Sequence, residues 1–317
     1  MENMIDIPGG AHKAIDVTVI GDALIDYQYW VDRMPPVGGD EMISMSGKST
    51  GGSASNTALA LGMLNVKTAF CGRVGMDENG RWIEEKMQSA GIDTSCIQYG
   101  ESTGYVLSII DKNSERTMLS YRGASAIPLE YTPSLRQVLQ NTKILLLSGY
   151  CLMNAGQAAL SLEAVKETKL AGGLVALDPS PVIGQIGPEI LAEMLNAADI
   201  ILPNKTELQT ITNVRDIPAS IKTLQLKVPC IALKMGSEGS LAAIREGFTS
   251  PFGASYSENG IYREPAQKVT AIDTTGAGDA FNAGFLAEML KNADPQAWLQ
   301  EGNELASKIV GKKGASF

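Results

Sequence analysis

The chain is nearly without histidine: His12 is the only one in 317 residues. That removes Ser-His-Asp and Cys-His catalysis and any multi-histidine metal site. The four cysteines, Cys71, Cys96, Cys151 and Cys230, lie far apart with no paired spacing. They read as buried, reduced thiols of a cytosolic protein, not as a zinc site or a disulfide framework. No run of about 18 apolar residues occurs, so no membrane span is expected. There is no basic excess either: the formal net charge is -9 and the pI about 4.8. Binding along a nucleic-acid backbone asks for a basic face, so nucleic acid is not an expected partner. A small anionic ligand needs only local donors and stays open. Met1–Lys13 has no apolar run of the signal-peptide kind, and residues 1–14 are expected to form a loose tail.

What is present is a soluble, globular composition, 44% hydrophobic and 19% charged. It supports a substantial core in one large domain or two. Chemistry is left to carboxylates, backbone donors and a hard cation. The stretch that offers it is Asp273–Thr274–Thr275–Gly276–Ala277–Gly278–Asp279, a glycine turn feeding a helix. Ala280, Phe281, Ala283, Phe285, Leu286, Met289 and Leu290 continue at helical spacing. The first amides of a helix lack intrahelical partners, and with the helix dipole they favour an anion. Gly276 and Gly278 have no Cβ to keep a phosphate away. Asp279, beside those amides, is placed to take a proton from a hydroxyl. A capped helix with no chemistry fits the same residues, because a glycine loop alone is a weak signal.

Along the chain, Ile15–Gly21 reads as a central strand followed by Asp22 and Asp26. Between Tyr27 and Thr50, prolines, glycines and short alternation suggest an excursion of short, one-sided strands. Gly51–Gly52–Ser53–Ala54–Ser55–Asn56 opens a helix, and Asp111–Lys112–Asn113–Ser114 joins the two arms of a hairpin over Thr103–Tyr121. The second half alternates strands at Ile144–Leu147, Leu174–Leu177, Ile200–Leu202 and Cys230–Lys234 with helices. That order implies a parallel sheet covered on both faces, with ligands beyond the carboxyl ends of its strands. No linker divides the chain.

Several motifs carry two readings. Ser46–Gly47–Lys48–Ser49–Thr50 imitates the end of a Walker A loop, but Met42 stands where its first glycine belongs, so it is rejected. Gly52 and Asn56 are either a helix entry or a polyol site. Asn204 and Glu207 are either a cap with its capping-box acid or a pair that orients water on Mg2+. Tyr105, Met118, Leu119 and Tyr121 read most simply as sheet packing. Asn204–Lys205–Thr206 matches a glycosylation sequon that means nothing without secretion.

Taken in order, these stretches resemble the PfkB family of carbohydrate and nucleoside kinases. The likeness runs from about Ile15 to Ala315. It rests on Gly21–Asp26, Gly51–Asn56, Gly75–Gly80, Asn204–Glu207, Gly236–Gly239 and above all the DTTGAGDAFNAG stretch from Asp273 to Gly284. The resemblance implies a ribokinase-like, three-layer α/β/α fold. Its central sheet is mostly parallel, and a small β-sheet lid is formed by about 27–50 and 103–121. Residues 15–317 would be the kinase domain. It implies Asp279 as the base, and the amides of Gly276, Ala277 and Gly278 as the anion hole. Asp26, Gly52, Ser53, Asn56, Tyr121 and Arg122 are implied on the substrate side. Asn204, Glu207, Lys234, Gly236, Ser237, Gly239 and Asn303 are implied on the side of ATP and Mg2+, with Glu207 acting on the metal through water. Asp273 and Thr275, with the loop at Lys313–Gly314, match positions that hold K+ in many members.

The implied reaction is ATP-dependent phosphorylation of a primary hydroxyl of a small sugar or sugar derivative. The implied assembly is a cytoplasmic homodimer through the lid. Ribose-specific members show Asn, Lys and Glu where this chain has Leu24, Ser53 and Tyr150. Tyr121–Ala126 is similar to the YRxxSA stretch of 2-keto-3-deoxygluconate kinases, where a guanidinium suits an acidic sugar. Gly21–Asp26 looks more like fructokinases and aminoimidazole riboside kinases. The chain ends at Phe317, where relatives often continue with another helix. A nucleoside kinase, an acid-sugar kinase and a non-catalytic sugar sensor remain the alternatives.

Overall fold

A computed structural model describes residues 13–113, 115–251, 253–269, 273–291 and 294–311. In chain order its first half contains β1 (Ile15–Ile20), β2 (Leu24–Val31), β3 (Ile43–Gly51), α1 (Ser53–Met63), β4 (Thr68–Cys71), β5 (Arg73–Gly75), α2 (Glu78–Ser89), β6 (Gln98–Gly100), β7 (Thr103–Ile110), β8 (Arg116–Gly123) and α3 (Pro133–Gln140). There follow β9 (Thr142–Ser148), α4 (Ala155–Leu170), β10 (Leu174–Asp178), α5 (Pro188–Ala197), β11 (Ile200–Ile201), α6 (Lys205–Thr212), α7 (Ile217–Leu224), β12 (Cys230–Lys234), β13 (Ser240–Ile244), β14 (Gly260–Glu264), α8 (Ala277–Met289) and α9 (Pro295–Val310).

Eight strands make the large sheet in the order β14-β13-β12-β11-β10-β9-β1-β4. From β4 to β12 the pairs are parallel, while β13 and β14 return antiparallel at the edge. The parallel strands are apolar on both faces, and their period of two divides the core. Val17, Val19, Ile144 and Leu146 join one buried cluster with Leu61, Phe285 and Trp298 of α1, α8 and α9. Ile20, Leu145 and Leu147 join the other, with Leu139, Ala164, Met194 and Ile221 of α3, α4, α5 and α7. The result is the three-layer, ribokinase-like α/β fold. On the first face Phe285 meets fully buried Trp298 edge-on, with ring centroids 5.6 Å apart. Such a pair is worth about 0.5–1.5 kcal/mol beyond its buried area.

A separate four-stranded sheet, β3-β2-β7-β8, leaves the large one directly after β1. Its strands β2 and β3 have eight and nine residues, longer than the short strands expected for that excursion. Continuous pairing from Leu24–Gly51 to Trp30–Met45 explains their length. β3 also places Lys48 in a strand, which accords with rejecting a phosphate loop there. Three features escape the strand-and-helix reading of the sequence: the short parallel pair β5–β6, helix α3 and strand β14. The four cysteines are buried and unbridged. No described helix is long and apolar enough to cross a membrane.

Candidate active site

Several polar groups sit where parallel strands end. Asp22 follows β1, Asp178 closes β10, Asn204 follows β11 and Lys234 closes β12. Into this edge points the start of α8. Gly276 is its N-cap, with φ 77°, a left-handed conformation that glycine adopts without a Cβ penalty. The Ala277 amide donates to Thr274 O at 3.2 Å, closing the turn. The amides of Gly276 and Gly278 make no backbone bond to described residues outside the helix. At Gly278 an added Cβ would come no closer than 3.7 Å to any protein atom outside its own turn, so the missing side chain leaves open space at a cavity wall.

Asp279, in the first turn, is held from two sides. Ser53 Oγ donates to its Oδ1 at 2.6 Å, and Asn56 Nδ2 to its Oδ2 at 3.0 Å. Ser53 and Asn56 are one helical turn apart on α1, so they present the same face to α8. The sequence placed both on substrate hydroxyls; here they hold the carboxylate that the sequence made the base. Ser53 Oγ also lies 2.9 Å from Asp178 Oδ2. Lys234 Nζ donates to Asp178 Oδ1 at 3.4 Å and to Asn282 Oδ1 at 3.1 Å. Burial, and then the charge of Asp178, push the Asp279 carboxyl up to about 6 against the hydrogen bonds from Ser53 and Asn56 and the charge of Lys234.

A cleft of about 380 Å³ opens beside this cluster. Lys234, Gly236, Ser237, Gly239 and Asn303 line it, with Ala277, Gly278 and Phe281 from α8. These are five of the positions the sequence assigned to the nucleotide side. Asn303 reaches the cleft as part of its wall: its Nδ2 is spent on Glu264 O and Pro265 O, each at 3.2 Å. Asn204 and Glu207 do form a capping box at α6. Both Glu207 carboxylate oxygens accept from Asn204, at 2.8 Å from its amide and 2.7 Å from its side chain. Burial raises the Glu207 carboxyl, with Lys234 opposing.

The small sheet closes the other side. Asp26 of β2 is raised to about 6 by burial first and then by the charge of Asp279. Arg116, at the start of β8, pairs with the Asp273 carboxylate and donates to Thr275 Oγ1. Asp273 in turn accepts from the Thr275 amide at 2.8 Å. The predicted monovalent-cation residues therefore meet a fixed cation; the loop at Lys313–Gly314 lies outside the described residues. Tyr121 and Arg122 part company because neighbours on a strand face opposite ways. Arg122 pairs with Asp22 and stacks over the Tyr150 ring at 4.9 Å. Tyr121 packs on Tyr105 at 5.3 Å and shares a 3.1 Å hydrogen bond with Ser102, on the exposed side. Met118 and Leu119, read from the sequence as packed, are exposed. Asp178, Arg116 and Asn282 were missed as site residues. Only Asp178 carried a signal, an acid at the end of a parallel strand.

A raised carboxylate fixed at the amide-rich start of a helix, next to a cleft, is equipped to move a phosphoryl group onto an alcohol. The molecule is a small-molecule kinase. The pfkB family carbohydrate kinase pattern matches residues 14–317, and the chain belongs to that family. It is 28% identical over 317 residues to 5-dehydro-2-deoxygluconokinase of Bacillus subtilis (strain 168), covering 96% of this chain and 92% of that one. Arabidopsis thaliana ribokinase is 28% identical over 313 residues, covering 94% and 77%. The structure of Arabidopsis thaliana ribokinase complexed with ribose and ATP superposes with a TM-score of 0.79 at 25% identity, over 95% of this chain and 94% of that one. The nucleoside kinase of Methanocaldococcus jannaschii shares the fold, with a TM-score of 0.77 at 24% identity over 96% and 94%.

Proposed function

We propose that the protein transfers the terminal phosphoryl group of ATP to a primary hydroxyl of a small sugar or sugar derivative. The observation that carries this reading is Asp279, fixed by Ser53 and Asn56 at the opening turn of α8 beside the cleft. Asp279 takes the proton of the hydroxyl, and a carboxyl raised to about 6 suits a base working near neutrality. The amides of Gly276 and Gly278, with Ala277 closing the turn, face the phosphoryl group and stabilise its charge. The cleft volume of about 380 Å³ falls in the range of small-ligand sites. Its apolar walls, Ala266, Val269, Phe281 and Ala306, suit a base ring, and Lys234 adds a cation to the lining.

In this reading Glu207 acts on Mg2+ through water, and the hydrogen bonds from the Asn204 amide and side chain hold its two oxygens in place. When bound, Mg2+ neutralises charge on the phosphates and keeps several waters of its own. At Asp273 and Thr275 a monovalent cation would have to share the site with the Arg116 guanidinium, which bonds both side chains. Asn56 Oδ1 is buried without a hydrogen-bond partner, an acceptor that a sugar hydroxyl would satisfy. β2 and β8 carry Asp26 and Arg116 over the α8 loop, which supports a lid that excludes water. That sheet exposes Ile43, Met45, Met118 and Leu119, and a second copy of this chain is the proposed partner that covers Leu119 and Ile43 on the face away from Arg116.

Arg122 favours a second reading, an acidic sugar as acceptor. Its half-buried guanidinium lies between Asp22 and Tyr150, where a substrate carboxylate would compete with Asp22. Each candidate sugar, sugar acid and nucleoside is to be mixed with the protein, ATP and Mg2+, and ADP release followed. Release that depends on a sugar or sugar acid is expected. Release with nucleosides alone changes the acceptor class, and silence across the panel leaves a non-catalytic sugar sensor.

A further inference from the structure

Ser53 Oγ stands between two carboxyl groups, 2.6 Å from Asp279 Oδ1 and 2.9 Å from Asp178 Oδ2. A serine hydroxyl has one hydrogen to give. It serves one of these oxygens as a donor and offers the other only lone pairs. With both carboxylates ionised, one short contact sets oxygen lone pairs against an anion, in a place where burial weakens screening. One proton on either inner oxygen removes the conflict. The chain then runs carboxyl O–H to Ser53 Oγ, and Ser53 O–H to the other carboxylate. The outer oxygens are already served: Asn56 Nδ2 donates to Asp279 Oδ2 at 3.0 Å, and Lys234 Nζ to Asp178 Oδ1 at 3.4 Å. The arrangement therefore has room for one proton, on the inner side.

We propose that Asp178, Ser53 and Asp279 work as a proton-sharing triad in which Asp178 is a positioning residue: the proton that Asp279 takes from the acceptor alcohol is held between the two carboxyls through Ser53. This rests on the kinase reading of Asp279. During transfer the acceptor oxygen forms its bond to phosphorus. The bond from phosphorus to the nucleotide's bridging oxygen breaks, and that oxygen leaves with the electron pair. The acceptor's proton goes to Asp279. Ser53 passes its own hydrogen to Asp178 and takes one from Asp279, and solvent later removes the proton. The other titratable and charged groups facing the pair are Lys234 of β12, Glu207 of α6, Asp26 of β2 and Tyr150 after β9 with Arg122 over its ring. None of them shares a hydrogen bond with Ser53.

The test is the acid limb of the kcat/KM profile in the native protein, Asp178→Asn, Ser53→Ala and the double variant. Asp178→Asn keeps the shape and removes one anion. Its limb is expected at lower pH by at least about half a unit, and its plateau lower by about tenfold, less than the roughly 10²–10⁴-fold that the base itself supplies. In the Ser53→Ala background the same substitution is expected to move the limb much less. An unmoved limb in Asp178→Asn overturns the triad, and so does an equal shift in both backgrounds, which charge alone would give. Carbon-13 NMR titration of the aspartate carboxyls in the ligand-free proteins repeats the comparison without turnover. If no acceptor is phosphorylated the kinase reading fails. The triad then stands or falls on whether Asp178→Asn moves the Asp279 titration to lower pH.

Discussion

Asp279 works against the fold that holds it. Its carboxyl, with an ordinary value of 3.8, is raised to about 6 by burial and by Asp178. The folded chain therefore keeps this proton to higher pH than the unfolded chain does. Between those two values the native state binds more protons, so stability falls as pH rises through the window and stays lowered above it. After allowing for partial solvent contact, the cost at pH 7.5 is on the order of 1–2 kcal/mol. Asp279→Asn should accordingly be more stable than the native protein at pH 7.5 by about that amount, with the advantage fading towards pH 4. Urea unfolding at the two pH values measures it, and equal midpoints at pH 7.5 would contradict this account of the carboxylate. An active site that costs stability is the expected exchange between stability and activity. At this scale the sequence was informative about Asp279, because the glycine turn that serves it is local. It was silent about Arg116, whose contact with Thr275 spans 159 positions.

Among the elements, the small sheet is the most exposed to consequence. Its inner face carries Asp26 and Arg116 to the α8 loop. Its opposite face leaves Ile43 53% and Leu119 60% exposed, apolar surface that the proposed second copy would cover. Light scattering should give twice the chain mass of 33.6 kDa for the native protein. Leu119→Glu should give the single-chain mass with its thermal unfolding little changed. A native monomer would remove the proposed dimer. The helices and parallel strands were legible because each announces itself locally. α1, α4 and α9 have helical spacing, and β9 and β12 are short apolar runs closed by polar residues. α3 carries local signals as well, with Thr132 capping, Pro133 at its first position and Leu135, Val138 and Leu139 buried on one side. β14 was not legible, because its residues alternate weakly and its partner β13 is fixed only by tertiary pairing.

In the whole molecule, one parallel sheet does the positioning. Its strand ends bring Asp22, Asp178 and Lys234 to a single edge, and α1 and α8 bring Ser53, Asn56 and Asp279 to meet them. The order of motifs was enough to foresee the three-layer fold and the glycine-lined start of α8. It did not foresee that Ser53 joins Asp178 across 125 positions, because the distance between strand ends depends on sheet order. The same assembly makes the central claim simple to test, since the cleft proposed for the nucleotide and the proposed base are separate groups of residues. The measurement is phosphoryl transfer by Asp279→Asn, with the best acceptor found for the native protein, alongside calorimetry of ATP binding. The account predicts turnover lowered by about 10²–10⁴-fold with ATP affinity kept within about threefold. Turnover at the native rate would contradict it.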